Sequence, residues 1–156
     1  MKKIKLTQGK YAIIDDKDYE ELSKHKWYAA FDLRVKKYYA RRRVSGTSTK
    51  LNMHRFILNT PKGMFTDHIN RNTLDNRRKN LRTCTSNQNA YNSEKPSCNT
   101  SGYKGVTFKY KKWQVIIKAS GKQIYLGRFT NKEDAARAYN NGAKKHHGEF
   151  ACLNKI

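Results

Sequence analysis

Asp67 and His68 set a carboxylate beside an imidazole, and Asn89 adds a carboxamide near the end of the stretch Thr66 to Asn92, TDHINRNTLDNRRKNLRTCTSNQNAYN. Oxygen ligands of this kind suit a hard divalent ion such as magnesium, and a neutral imidazole can take a proton from water near neutral pH. Together they outline a site that cleaves phosphodiesters. The intervening residues must bring the three together. A polar loop rich in Asn and Arg comes first, then a β-prone run from Leu81 to Thr85. A short helix follows that Ser86 can cap, with Asn89 in its first turn. The spacing predicts strand, long loop, strand and helix.

In this order the residues resemble the HNH endonucleases with their ββα-metal site, and most closely the phage- and intron-borne homing type. That type carries the pattern DH…D-N-x-x-x-N-L-R…Q-N. It reads here as Asp67-His68, Asp75-Asn76, Asn80-Leu81-Arg82 and Gln88-Asn89, all in register. The resemblance implies that His68 is the general base and that Asp67 and Asn89 hold the metal, magnesium or manganese. Asn80 would brace the loop through hydrogen bonds from its side chain to the backbone. The third letter of the family name is Asn89 here rather than His, as in a subset of the family. A similar His-Arg segment precedes the motif in the homing type, as a helix packed behind the site. Met53-His54-Arg55-Phe56-Ile57-Leu58 occupies that place, which makes His54 a support residue.

The composition points the same way. The chain of 156 residues, enough for one domain or two small ones, carries a formal net charge of +22, from 34 Lys and Arg against 12 Asp and Glu. That excess calls for a polyanionic partner, with nucleic acid first, and the basic residues alternate with Tyr and Trp rather than forming a tail. Hydrophobic residues make up 37%, adequate for small modules but not for one large core. No stretch approaches the ~18 consecutive apolar residues of a membrane span, and the basic start MKKIKLTQGKY lacks the apolar region of a signal peptide. Three cysteines, Cys84, Cys98 and Cys152, with no CxxC pair, argue for a reducing cytoplasm and against a structural zinc site.

Towards the N-terminus, residues 4 to 14 predict a hairpin. Asp16 to Lys26 predicts a short helix whose buried stripe is Tyr19, Leu22 and Trp27, with the acids from Asp15 to Glu21 facing away from DNA. The β pattern resumes from Trp27 to Asn52, with a turn at SGTSTK. Between Arg34 and Arg55 there are eight Lys or Arg residues and no acid. Alternation puts Arg41 and Arg43 on one side of this ribbon, where they can track phosphates, and Ala40 and Arg42 on the other. Arg71, Arg77, Arg78 and Arg82 all lie near enough in sequence to position a scissile phosphate, and the sequence does not choose among them.

After SEKPSCNT, residues 93 to 100, which read as a linker, a second pattern begins. Three strand-like runs are divided by turns at Lys111-Lys112 and Ser120-Gly121. A helix follows with Thr130 or Asn131 as N-cap and a small-residue stripe of Ala135, Ala136, Ala138, Tyr139 and Ala143. Strand alternation turns Trp113, Val115, Ile117, Ile124 and Leu126 towards that helix. Thr107, Lys109, Gln114, Ile116, Lys118, Gln123 and Tyr125 face outward, a face suited to the major groove. The segment resembles the APETALA-type DNA-binding domain of plant ethylene-response factors, through S-G-Y-K-G-V, K-W, Y-L-G-R-F, E-D-A-A-R-A-Y and G-E-F-A-x-L-N. The resemblance implies DNA contacts from Lys104, Thr107, Lys109, Lys118, Gln123 and Tyr125; Gln114 joins them on alternation alone. Where plant members carry Arg or Trp this chain has Lys, Thr, Gln and Tyr, so a target sequence does not transfer.

The expected fold class is α+β: a ββα-metal (HNH) nuclease core at 53–93, preceded by a small basic β-rich segment at 1–52. Beyond a linker at 94–100 comes a three-stranded antiparallel sheet packed on one helix at 101–156. The expected function is site-specific, metal-dependent hydrolysis of double-stranded DNA in the cytoplasm of a host cell, by a monomer or weak dimer without organic cofactor or membrane. A DNA-binding regulator on a decayed nuclease fold shares the charge, but the intact Asp67, His68, Asn80 and Asn89 argue against decay. An RNA-binding role rests on charge and aromatic residues alone.

Overall fold

Ile4, Leu6, Ala12 and Ile14 bury one face of a hairpin, in which β1 (Lys2–Lys5) pairs antiparallel with β2 (Tyr11–Ile14). The computed structural model describes all residues, Met1–Ile156. The hairpin opens the first of two compact units, Met1–Thr85 and Ser86–Ile156.

Helix α1 (Asp16–Ser23) follows the hairpin and is shorter than its acids and lysines suggest, because Lys24 already caps it. Its buried face also differs from the expected stripe. Leu22 and Asp18 are buried, while Tyr19 stays at the surface with the Lys2 ammonium 4.3 Å from its ring centre. Asp18 goes inward because Arg78, 60 residues further on, donates to both of its carboxylate oxygens. Trp27 closes the stripe, its indole N–H donating to the Leu22 carbonyl at 2.8 Å.

The basic ribbon is a three-stranded antiparallel sheet of β3 (Tyr28–Asp32), β4 (Lys37–Arg43) and β5 (Lys50–Asn52), in that order. A turn at residues 33–36, with Lys36 at φ 52°, divides what the sequence reads as one run. Ala29 and Ala40 sit opposite each other on the inner face. Arg42 shares that face with its guanidinium 5.7 and 5.4 Å from the Trp27 and Phe56 ring centres. After Asn52 the period changes. Met53 and Ile57, four apart, are buried on α2 (Met53–Leu58), which ends at Asn59 in the left-handed region. A two-stranded sheet completes the unit: β6 (Phe65–His68) pairs antiparallel with β7 (Leu81–Cys84), joined by a long loop that ends in a 3-10 turn at Arg78–Asn80. One apolar cluster runs from Ile4 and Leu22 through Trp27 and Met53 to Leu81.

The second unit starts with α3 (Ser86–Tyr91). Its sheet holds β8 (Val106–Lys109), β9 (Lys112–Ala119) and β10 (Lys122–Phe129), with β9 central and both pairs antiparallel. Helix α4 (Lys132–His147) is capped by Asn131, whose side-chain oxygen accepts from the Glu133 and Asp134 amides. Its inner face of Ala135, Tyr139 and Ala143 packs on Val106, Val115 and Ile117, with Trp113, Ile124 and Leu126 at the edges. Asn154 locks the two ends of this module: its side chain accepts from the Lys104 amide at 2.7 Å and its own amide donates to Asn140 at 2.7 Å.

Candidate active site and basic sheet face

The loop between β6 and β7 is held by side chains bonded to backbone. Asn80 is buried; its amide donates to the Asp75 carbonyl at 2.7 Å and its oxygen accepts from the Asn70 amide at 2.9 Å. One side chain thus ties the two arms of the loop together. Asn70 in turn donates to the Asp75 carboxylate at 2.9 Å and accepts from the Asn72 amide at 2.8 Å. The loop also rests on the N-terminal hairpin. Ile13 donates to the Leu74 carbonyl and accepts from the Asn76 amide, at 2.8 and 2.7 Å. Thr73 anchors it to β4 through the Tyr38 carbonyl.

This frame fixes His68 at the end of β6. Its Nε2 lies 3.3 Å from the Asn76 side-chain oxygen, and Asn76 is wholly buried with its own amide turned to the Leu74 carbonyl. The Asn76 oxygen can only accept, so His68 donates from Nε2 and the lone pair of the neutral ring falls on Nδ1. Burial pushes the His68 pKa below the usual imidazole value. The hydrogen bond to Asn76 and the charges of Asp67 and Asp75 oppose that shift without overcoming it. Two further rings enclose it. His54 on α2 meets it edge to face, with centroids 5.0 Å apart at 86°, and Tyr39 on β4 lies 6.3 Å away. His54 is pushed down to about 3, by burial first and then by the neighbouring His68. Asn76 and Tyr39 are the neighbours that sequence reasoning did not single out. Asn76 stood inside the quoted pattern, whereas the contact with Tyr39 crosses from another sheet and leaves no local signal.

Three of the four candidate arginines face carboxylates within the first unit. Arg82 reaches Asp67, directly opposite it in the ladder, at 2.7 and 2.9 Å. Arg77 holds Asp75 at 2.6 and 2.7 Å, which keeps that buried carboxyl below its ordinary range. Arg78 binds Asp18, and its amide donates to Asp15. Asp15, which precedes α1, and Asp18 within it therefore support the loop. Arg71 sits at φ 63° in the turn directly after His68, where its amide donates to the His68 carbonyl. On the ribbon, Arg41 donates to the Asn52 side chain at 2.8 Å and Arg43 is exposed.

Asn89 lies half-buried on α3, in the second unit. No group of three or more His, Cys, Asp or Glu gathers anywhere in the chain, so its side chains form no closed cage. A carboxylate and a carboxamide are oxygen donors, the kind that would suit a hard ion that keeps waters and takes phosphate oxygens.

The outer face of the second sheet presents Thr107, Lys109, Lys118, Gln123 and Tyr125, all exposed, and Gln114, half-buried. Gln114 lies between Thr107 and Arg128 in one row across three strands, and Lys118 is opposite Gln123. Arg128 escaped the sequence reading. Strict alternation from Gln123 sends it inward, but the register shifts between Tyr125 and Gly127, and Gly127 stands at φ 125°. This bulge returns Arg128 to the outer face, where it is exposed. A glycine inside a strand was the available signal. Lys104 precedes β8, and its ammonium donates to the carbonyls of Tyr91 and Ser93 at 2.8 and 2.6 Å.

A family model described as HNH endonuclease matches residues 59–91, from the end of α2 through α3. An uncharacterized HNH endonuclease of Acanthamoeba polyphaga mimivirus is 32% identical over 155 residues, 96% of this chain and 77% of that protein. Protein 3.8 of Escherichia phage T7 is 34% identical over 93 residues, 58% of this chain and 76% of that protein. The chain belongs to the HNH endonuclease family. An AP2-like ethylene-responsive transcription factor of Arabidopsis thaliana is 43% identical over 63 residues, 39% of this chain but 13% of that protein. No solved structure matches.

Proposed function

We propose that the chain is a site-specific DNA endonuclease of the homing type, which hydrolyses phosphodiester bonds with His68 as general base. The observation that carries this reading is the setting of His68. It is buried, neutral, and tied at Nε2 to Asn76, so its basic nitrogen is defined before any substrate arrives. Nδ1 takes a proton from water as the water oxygen bonds to phosphorus. The bond from phosphorus to the 3′ oxygen then breaks, and the departing oxyanion takes a proton from solvent water, leaving 5′-phosphate and 3′-hydroxyl ends. A magnesium or manganese ion, held by Asp67 and Asn89, would supply positive charge at the departing oxygen. Asn80 acts by holding the loop, not by touching substrate. The succession β6, loop, β7, α3 supports a ββα-metal arrangement for this segment.

The second unit serves as a reader of double-stranded DNA of the APETALA type. Its outer face offers Thr107, Gln114 and Arg128 in one row, with Lys109, Lys118, Gln123 and Tyr125 around them, and the likeness to a plant transcription factor supports the assignment. Arg41 and Arg43 on the basic ribbon add phosphate contacts. One such site cuts one strand at a time, so a monomer nicks and a double-strand break takes a second visit or a second copy.

The test is incubation of the full chain with supercoiled plasmid and with phage or host DNA, in magnesium, manganese and EDTA, with His68→Ala in parallel. Metal-dependent nicking or cutting that the variant loses, with duplex binding retained by gel shift, is the expected result. Cleavage undiminished in His68→Ala would overturn the assignment of the base.

A further inference from the structure

The residues between the nuclease motif and the second sheet suggest a free spacer, yet α3 is fastened to the module that follows it. Three contacts do this. Tyr91, the last residue of α3, stacks on His147 at the end of α4, with ring centroids 3.8 Å apart and planes 7° from parallel. The Tyr91 hydroxyl accepts from the Ser120 amide at 3.0 Å, in the turn between β9 and β10. Lys104 donates to the Tyr91 and Ser93 carbonyls, at the end of α3 where helix carbonyls lack intrahelical partners. The other partners are themselves fixed. His147 is buried and its Nε2 donates to the Lys118 carbonyl at 2.7 Å, while its Nδ1 is buried without a hydrogen bond. The Lys104 amide is pinned by Asn154. Six residues of helix with no fully buried side chain would not hold their shape alone.

We infer that Tyr91, His147 and Lys104 are positioning residues that hold α3, and with it Asn89, rigidly on the DNA-reading module. The inference rests on the reading of Asn89 as a metal-holding residue. The ligand is then carried by the body that grips the DNA, and the placement of one half of the catalytic apparatus is set by the sheet rather than by a tether. It also reassigns Lys104, whose ammonium serves the clasp instead of a phosphate.

The experiment uses the full chain, free of metal and DNA for its first readout. Amide hydrogen exchange over Ser86–Ser93 is compared in the wild type, Tyr91→Ala, Tyr91→Phe and Lys104→Met. Duplex affinity and single-turnover cleavage follow on the same proteins. Tyr91→Ala should speed exchange in that segment while the β9 and α4 amides stay protected. Its cleavage step should slow by about 10- to 100-fold with duplex affinity within about two-fold, the scale expected of a misplaced group. Tyr91→Phe keeps the stack but gives up the bond to the Ser120 amide, and should lie between wild type and Tyr91→Ala in both exchange and cleavage. Lys104→Met should lower the cleavage rate and leave affinity in place. Fast exchange of Ser86–Ser93 in the wild type would overturn the clasp; so would a loss of affinity in Lys104→Met with α3 protection unchanged. Loosened α3 with an undiminished cleavage rate would overturn the positioning role. Because exchange is read without cleavage, a failure of the nuclease reading itself would show separately, as a wild type with protected α3 that cuts nothing.

Discussion

Replacing Asn80 by alanine removes a buried side chain that bonds to the backbone of both arms of the loop behind His68. Two backbone groups lose their partner, the Asp75 carbonyl and the Asn70 amide, in a place where Asn80 itself is only 6% exposed. The buried Asp75 carbonyl left unpaired costs about 1–3 kcal/mol and the part-buried Asn70 amide less, so the pair should cost about 3 kcal/mol. At roughly 0.05–0.15 kcal/mol per residue, a unit of this size is stable by about 4–13 kcal/mol, so the loss is large but survivable. With a urea m-value near ~1.5 kcal/mol/M, the unfolding midpoint should fall by about 2 M. Of the two tryptophans, Trp27 lies in the first unit and Trp113 in the second, so a Trp113→Phe background lets fluorescence follow the first unit alone. Asn72→Ala is the matched control, since Asn72 is exposed and water can replace its bond to the Leu74 amide. If Asn80→Ala costs no more than this control, the bracing role is refuted.

Four other outcomes follow from the same geometry. His54 is neutral in the folded chain with a pKa of about 3, against about 6.5 unfolded, so below pH 6.5 the unfolded chain binds the extra proton. Stability should therefore fall by about 1.4 kcal/mol per pH unit from pH 6.5 towards pH 3, and His54→Phe should flatten that slope in urea titrations. The depressed His68 pKa keeps the base neutral, so the acid limb of the cleavage rate should lie below the ordinary imidazole range in a pH–rate profile. Arg128→Ala should weaken duplex binding and lower the slope of log affinity against log salt by about 1. A Cβ on Gly105, at φ 74°, would lie 2.2 Å from the Tyr139 ring and 2.9 Å from the Ile116 carbonyl, so Gly105→Ala should destabilise the second unit by roughly 3 kcal/mol in thermal melts.

What the sequence made legible is what depends on near neighbours. A helix cap at Thr130 or Asn131, the apolar faces of β9 and α4 and the first hairpin follow from period and composition within a dozen residues. The motif residues from Asp67 to Asn89 could be picked out because they keep a fixed order, and the Asn80 side chain bonds to residues five and ten positions away. Legibility ended where partners are remote. Arg78 stands in the sequence among four arginines able to position a phosphate, and Asp18 among acids facing away from DNA, because nothing local joins residues 60 apart. Tyr19 fitted a helical stripe that Asp18 displaced once Arg78 was available to neutralise it. Arg128 was lost to a single extra residue in a strand, which period-2 counting cannot absorb unless Gly127 is taken as a bulge.

The parallel bridge between Ile13 and Asp75 has a consequence for transplantation. The motif itself fits within residues 59–91, which invites its use as a cassette. Yet the loop inside that cassette takes two backbone hydrogen bonds from Ile13, one from Arg78 to Asp15, and its anchor at Thr73 from Tyr38. Cut at its own borders, the segment would carry the chemistry without the floor beneath it. The smallest piece that could be moved intact to another protein therefore begins with the first hairpin, and the C-terminal sheet must follow if α3 is to keep its hold.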